Sequence, residues 1–324
     1  LLDGATMQPD FLNNHDIYLN YFTIGNLIAG AFMVFCAAFL VTLKDKSRDT
    51  WHLALGFLFM SAFVPAYAVA QGWYHPLAAF HRWSTVGFVL PAIVEFTHWL
   101  LLFQGDSSRR LRLTIVLPLW AVALVTFAGW IYASLRAEIV FNFSGQHWDF
   151  NAQRMTLIVS FIIVFFVSTM IVLTVWKTWR LRREKSWWVP PAITMSLIVA
   201  ALVPMIINIL SRDGRVEREA FVVTFTLTIV LGFFGVFLIW INTTHERTTF
   251  MAKVAITTLV TVLLLLQTVA LFTSRDQEAQ FDALKREMTE RAVIRPEGLP
   301  DVVYMVRRMS GQTSIVYTRS DYAA

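Results

Sequence analysis

The stretch MTLIVSFIIVFFVSTMIVLTVW, Met155 to Trp176, contains no charged residue and no alternation of apolar and polar positions. At 1.5 Å per residue, a helix of about 20 residues crosses a hydrocarbon layer about 30 Å thick. Backbone groups in hydrocarbon must find their hydrogen bonds inside the protein, and a single segment of this length does so as a helix. Residues 18–43, 52–73, 84–103, 112–134, 188–210, 219–242 and 251–273 read in the same way. The sequence therefore predicts an all-α integral membrane protein in a lipid bilayer, a bundle of about eight transmembrane helices over 18–273.

Composition agrees: 56% of the residues are hydrophobic and 15% are charged, against about 25% charged in soluble domains. A soluble globular enzyme is excluded. The net charge of +5 could suggest a nucleic-acid partner, but the basic residues gather at the ends of the apolar segments. Links after the first, third, fifth and seventh segments hold thirteen of them (Lys44, Lys46 and Arg48; Arg109, Arg110 and Arg112; Lys177, Arg180, Arg182, Arg183 and Lys185; Arg247 and Lys253), and the opposite face holds six. Topology explains that asymmetry without nucleic acid, and the positive-inside rule puts both termini of the segment outside the cytoplasm of a bacterial inner membrane. Cys36, the sole cysteine, lies within the first segment with no intrachain partner.

Between the apolar segments the links have distinct characters. Residues 1–17 read as an extracytoplasmic lead ending in the helix-capping cluster Asn13, Asn14, His15 and Asp16. The start Leu1-Leu2-Asp3 reads as a processed or partly observed N-terminus. Residues 74–83 are aromatic and amphipathic, as expected of chain lying at headgroup level. The link 135–154 is predicted to form a short hairpin or lid, because Val140, Asn142 and Ser144 alternate with bulky Phe141 and Phe143 before a Ser-Gly turn. So many aromatics must fold onto something, and the bundle's extracytoplasmic mouth is the nearest surface. Beyond 273, a charged helix over 274–291 and strands near 301–307 and 313–318 are expected. They form a small, incomplete α+β extracytoplasmic C-terminal segment, 274–324, that reads as the opening of a longer domain.

Ionisable groups inside a membrane are costly to bury and mark function by default. Glu95 stands out in the third segment, with His98 one turn on and on the same face. Protonation of Glu95, or its pairing with His98, would make the pair tolerable, either as a ligand or proton site or as a structural hydrogen bond between helices. Of the histidines, His52 and His245 fall at the cytoplasmic edge, and His15, His75, His81 and His147 at the extracytoplasmic edge. No two are spaced for a transmembrane bis-histidine haem, so neither haem nor another cofactor is expected. His75, His81 and His147, with Trp148 and Asp149, could gather at the outer mouth as a ligand or metal site, or be satisfied singly by water and backbone. No phosphate loop, zinc-protease helix or nucleophile elbow occurs, so no catalytic residue is assigned.

The stretches 74–83 (YHPLAAFHRW), 141–150 (FNFSGQHWDF) and 248–253 (TTFMAK) resemble the multi-pass N-terminal membrane region of bacterial transmembrane signalling proteins. In that group the region precedes an extracytoplasmic segment, another membrane helix and a cytoplasmic output such as a cyclase, a SpoIIE-like phosphatase or a histidine kinase. The resemblance covers about 10–273 and implies a sensory, signal-transducing module that acts through output outside these residues. Two alternatives stand beside it. One is a non-catalytic scaffold subunit that self-associates or docks partner membrane proteins; the other is a transporter or redox anchor using Glu95 and His98.

Overall fold

A computed structural model describes residues 21–273, apart from 74, 104–107, 143–146, 213–214, 217, 245–252 and 255, together with the strands at 304–307 and 313–317. Among the described residues, eight helices are long and apolar enough to cross a membrane. They are α1 (Tyr21–Thr42), α2 (Arg48–Gly72), α3 (His81–Leu102), α4 (Arg109–Ser134), α5 (Gln153–Leu181), α6 (Val189–Arg212), α7 (Arg218–Thr243) and α8 (Ile256–Thr273). The chain is a multi-pass membrane protein.

Helix starts follow local chemistry. Ser47 caps α2 by accepting from the Thr50 N–H, with Asp49 in the first turn, and Ser108 caps α4 by accepting from the Leu111 N–H. A side-chain oxygen there satisfies a donor that lacks an intrahelical partner, and a carboxylate complements the helix dipole. Both helices consequently begin several residues before hydropathy alone would start them. Within the helices, hydroxyls are returned to the backbone, as in Thr97 to the Ile93 carbonyl and Thr126 to that of Val122, so these buried donors are satisfied within their own helix.

The helices pack as sequential neighbours and close through α1 against α7. One core joins α1, α2, α3, α6, α7 and α8 around Phe57, Phe96, Phe233 and Phe237; a second joins α3, α4 and α5 around Leu90, Leu119 and Phe166. Close approach is made by small residues: Gly30 meets Pro65, and Gly232 and Gly235 meet Ser196 and Ala200. Membrane helices associate through such contacts, since lipid supplies no hydrophobic drive between them. Outward, Val125, Phe161, Val172 and Val175 are the exposed apolar face that the acyl chains cover.

Strands β1 (Ile139–Asn142) and β2 (His147–Phe150) form an antiparallel hairpin with Ile139 opposite Phe150 and Phe141 opposite Trp148. Trp148 and Phe150 are buried with Ala79, Val86, Trp130 and Val159, so the hairpin folds down on the α3, α4 and α5 ends. Between α2 and α3, Pro76–Phe80 is a 3₁₀ turn, and α3 begins at His81, three residues before the apolar segment expected from 84. Strands β3 (Tyr304–Arg307) and β4 (Thr313–Tyr317) pair antiparallel. The expected helix over 274–291, His15 and His245 lie outside the described residues.

Candidate functional site

At the hairpin end, the first turn of α3 carries Arg82 inward. Its Nε donates to Asp149 Oδ1 and Oδ2 at 3.0 and 3.1 Å, and Nη2 donates to Oδ2 at 2.6 Å. The Phe150 N–H donates to Asp149 Oδ1 at 2.8 Å. Burial alone would push the Asp149 carboxyl up; the Arg82 guanidinium and the adjacent His147 together outweigh it and hold the group well below the usual carboxylate range. A forked arginine–carboxylate pair is both strong and orienting, and here it ties strand β2 to helix α3.

Around this pair, His147 Nε2 lies 3.6 Å from Asp149 Oδ2, and His147 Nδ1 lies 3.4 Å from Gln71 Nε2 of α2. His81 Nδ1 donates to the Ala78 carbonyl at 2.8 Å, and its ring meets that of His147 edge to face at 5.6 Å. Trp83 Nε1 donates to Ser134 Oγ at 2.8 Å, linking α3 to the end of α4. Thus His81, His147, Trp148 and Asp149 converge on the hairpin base. His75 stacks on Trp73 and accepts from the Leu77 N–H, capping the 3₁₀ turn.

Below the pair runs an intramembrane cavity of about 220 Å³ between α2, α3, α5, α6 and α7. Its walls are apolar, including Phe63, Ile163, Pro204 and Phe225, while Tyr67, Arg82, Thr85 and Asn208 add polar groups. For scale, an engineered cavity of about 150 Å³ admits benzene.

Glu95 lies toward the opposite end of α3, and its partner is not the one expected. His52 Nδ1 of α2 sits 2.6 Å from Glu95 Oε2, and His98 packs its ring on that of His52 at 3.6 Å between centroids. Residues three apart on one helix share a face, but a carboxylate reaches more directly across to the neighbouring helix, where Gly56 leaves α2 and α3 in close contact around Phe96. Glu95 and His98 therefore form a group apart from the hairpin residues. At the same end, Lys177 of α5 is buried and donates to the carbonyls of Leu100 (2.6 Å), Leu101 (3.4 Å) and Phe103, closing the C-terminus of α3.

Arg82, His52 and Lys177 were not singled out by the sequence as intramembrane groups. The signals existed: Pro76 marks a helical start upstream of His81, and Ser47 followed by Asp49 sets the start of α2 at Arg48, placing His52 one turn inside. No protein-family model matches the chain. No curated protein is similar to it.

Proposed function

We propose that this multi-pass bundle is a sensory, signal-transducing module that binds a small amphipathic molecule beneath the β1–β2 hairpin, on the extracytoplasmic side of a bacterial inner membrane. The observation that carries the reading is the meeting of an apolar cavity with the Arg82–Asp149 pair at its polar end. An apolar body would fill the cavity, and an anionic head would compete with Asp149 for the Arg82 fork. Because a ligand shifts an equilibrium only by its differential affinity for the two states, that competition gives the ligand its leverage: the hairpin held by Asp149 and the hairpin released from it bind the head group differently. The likeness of the loops to signalling-protein membrane regions supports the same reading, as does the placing of both termini outside by basic-residue asymmetry.

Hydrogen exchange on the protein in lipid nanodiscs tests it, with octanoate as the anionic probe and octanol as its uncharged counterpart. Octanoate is expected to raise exchange of the amides in 139–150, octanol to leave them protected, and Asp149→Asn to raise them without any addition. Equal exchange in all these states would remove the hairpin from signalling.

A further inference from the structure

The end of the bundle away from the hairpin carries a second cluster that the sensory reading does not use. His52, one turn into α2, and Glu95 and His98, on the penultimate turns of α3, each present a donor atom, all within 4.8 Å of one another. Glu95 is buried, at 5% side-chain exposure, and His52 is at 24%. One imidazole already gives Glu95 its partner. The second, held against the first ring, is a further nitrogen donor that the His52–Glu95 contact does not need.

We infer that His52, Glu95 and His98 bind a divalent transition-metal ion of the zinc class, leaving a coordination position for an anion. Two imidazoles and a carboxylate are a recurring protein donor set for such ions, with the remaining position open when only three residues ligate. Donor atoms between 2.6 and 4.8 Å apart need shifts of about 1 Å to reach the tetrahedral separation of about 3.3 Å implied by bonds near 2.0 Å. Such shifts lie within side-chain motion on helices already in contact.

Charge around the cluster narrows the occupant. The cleft, about 360 Å³, is also lined by Arg48, Arg109 and Arg112, with Leu113, Leu117 and Trp120 as its apolar wall. Three guanidinium groups oppose cations held mainly by charge, such as Mg²⁺ or Ca²⁺, which prefer oxygen ligands in any case. An ion held by imidazole nitrogen tolerates them better. The same arginines favour negative charge in the open position, so the completed shell carries a phosphate-like oxyanion or hydroxide, and the ion pins α2 to α3.

Cobalt(II) tests this on the full chain in detergent micelles, because its visible d–d absorption reports coordination directly. After exchange into metal-free buffer near neutral pH, Co²⁺ is expected to give a saturable band at one ion per chain that shifts when inorganic phosphate is added. His52→Gln, which keeps a donor toward Glu95, and His98→Gln should each weaken binding by about 100-fold or more, with helical circular dichroism unchanged. Zn²⁺ should abolish the band by competition, and Mg²⁺ should not. No band at saturating Co²⁺, or the same band in the double variant, would overturn the site; a band indifferent to phosphate would overturn its open anion position.

Discussion

Asp149 is where a single side chain governs a whole connection. Its carboxylate sits between the Arg82 fork and His147, at 17% exposure against 21% for Arg82, so solvent screens the pair only in part. Breaking a fully buried pair costs about 3–5 kcal/mol. With this exposure, Asp149→Asn should destabilise hairpin docking by about 2 kcal/mol, measured as faster hydrogen exchange across β1 and β2. The pH dependence follows from the lowered folded value: the contribution is complete above the ordinary aspartate range near 4 and is lost only as pH falls through that folded value. Hairpin protection should therefore hold from neutral pH down to about 4, whereas in Asp149→Asn it should be weak throughout. Lys177→Met removes donors from three carbonyls at the α3 C-terminus and should lower stability by about 2 kcal/mol, read from reversible unfolding in mixed micelles.

At the scale of the element, α6 and α7 are set by contacts that admit no side chain. A Cβ on Gly232 would stand 2.6 Å from the Ser196 carbonyl oxygen and 2.8 Å from the Ala200 nitrogen, whereas one on Gly129 would meet only the flexible end of Met155 at 3.2 Å. Gly232→Ala should therefore cost about 1–3 kcal/mol and Gly129→Ala close to nothing, a difference that parallel thermal unfolding in detergent would expose. The hairpin was legible because Val140, Asn142 and Ser144 alternate with Phe141 and Phe143 ahead of the turn-forming pair Ser144-Gly145 in the sequence. The depth of Arg82 was not, because hydropathy starts a helix at its first apolar run, whereas α2 starts at its Ser47 cap and α3 follows directly on the 3₁₀ turn capped by His75, and that difference of about one turn moved Arg82 and His52 from the rim into the protein. Pairing was hidden for a related reason: sequence displays neighbours along one helix, and Glu95 chose a partner 43 positions away.

For the whole molecule, length and hydropathy sufficed to place eight membrane helices, since the cost of unpaired backbone in hydrocarbon leaves few alternatives. Which face of each helix turns outward was beyond that reading, because residues around α4 and α5 are apolar on every side. Val125, 72% exposed, marks the lipid face of α4; Val125→Arg should cost about 2.5–3.5 kcal/mol of membrane insertion, measured by glycosylation mapping, while Leu124→Met on the same turn should be neutral. Helix α3 runs through both halves of the bundle, with Arg82 on its first turn and His98 near its last. Those residues are 16 positions apart, about 24 Å along the axis. Pro91 interrupts the span and leaves the Gly87 carbonyl without its usual intrahelical donor. With one backbone hydrogen bond missing midway, α3 is expected to yield most easily about Pro91, so its two anchored ends need not turn as one rigid rod.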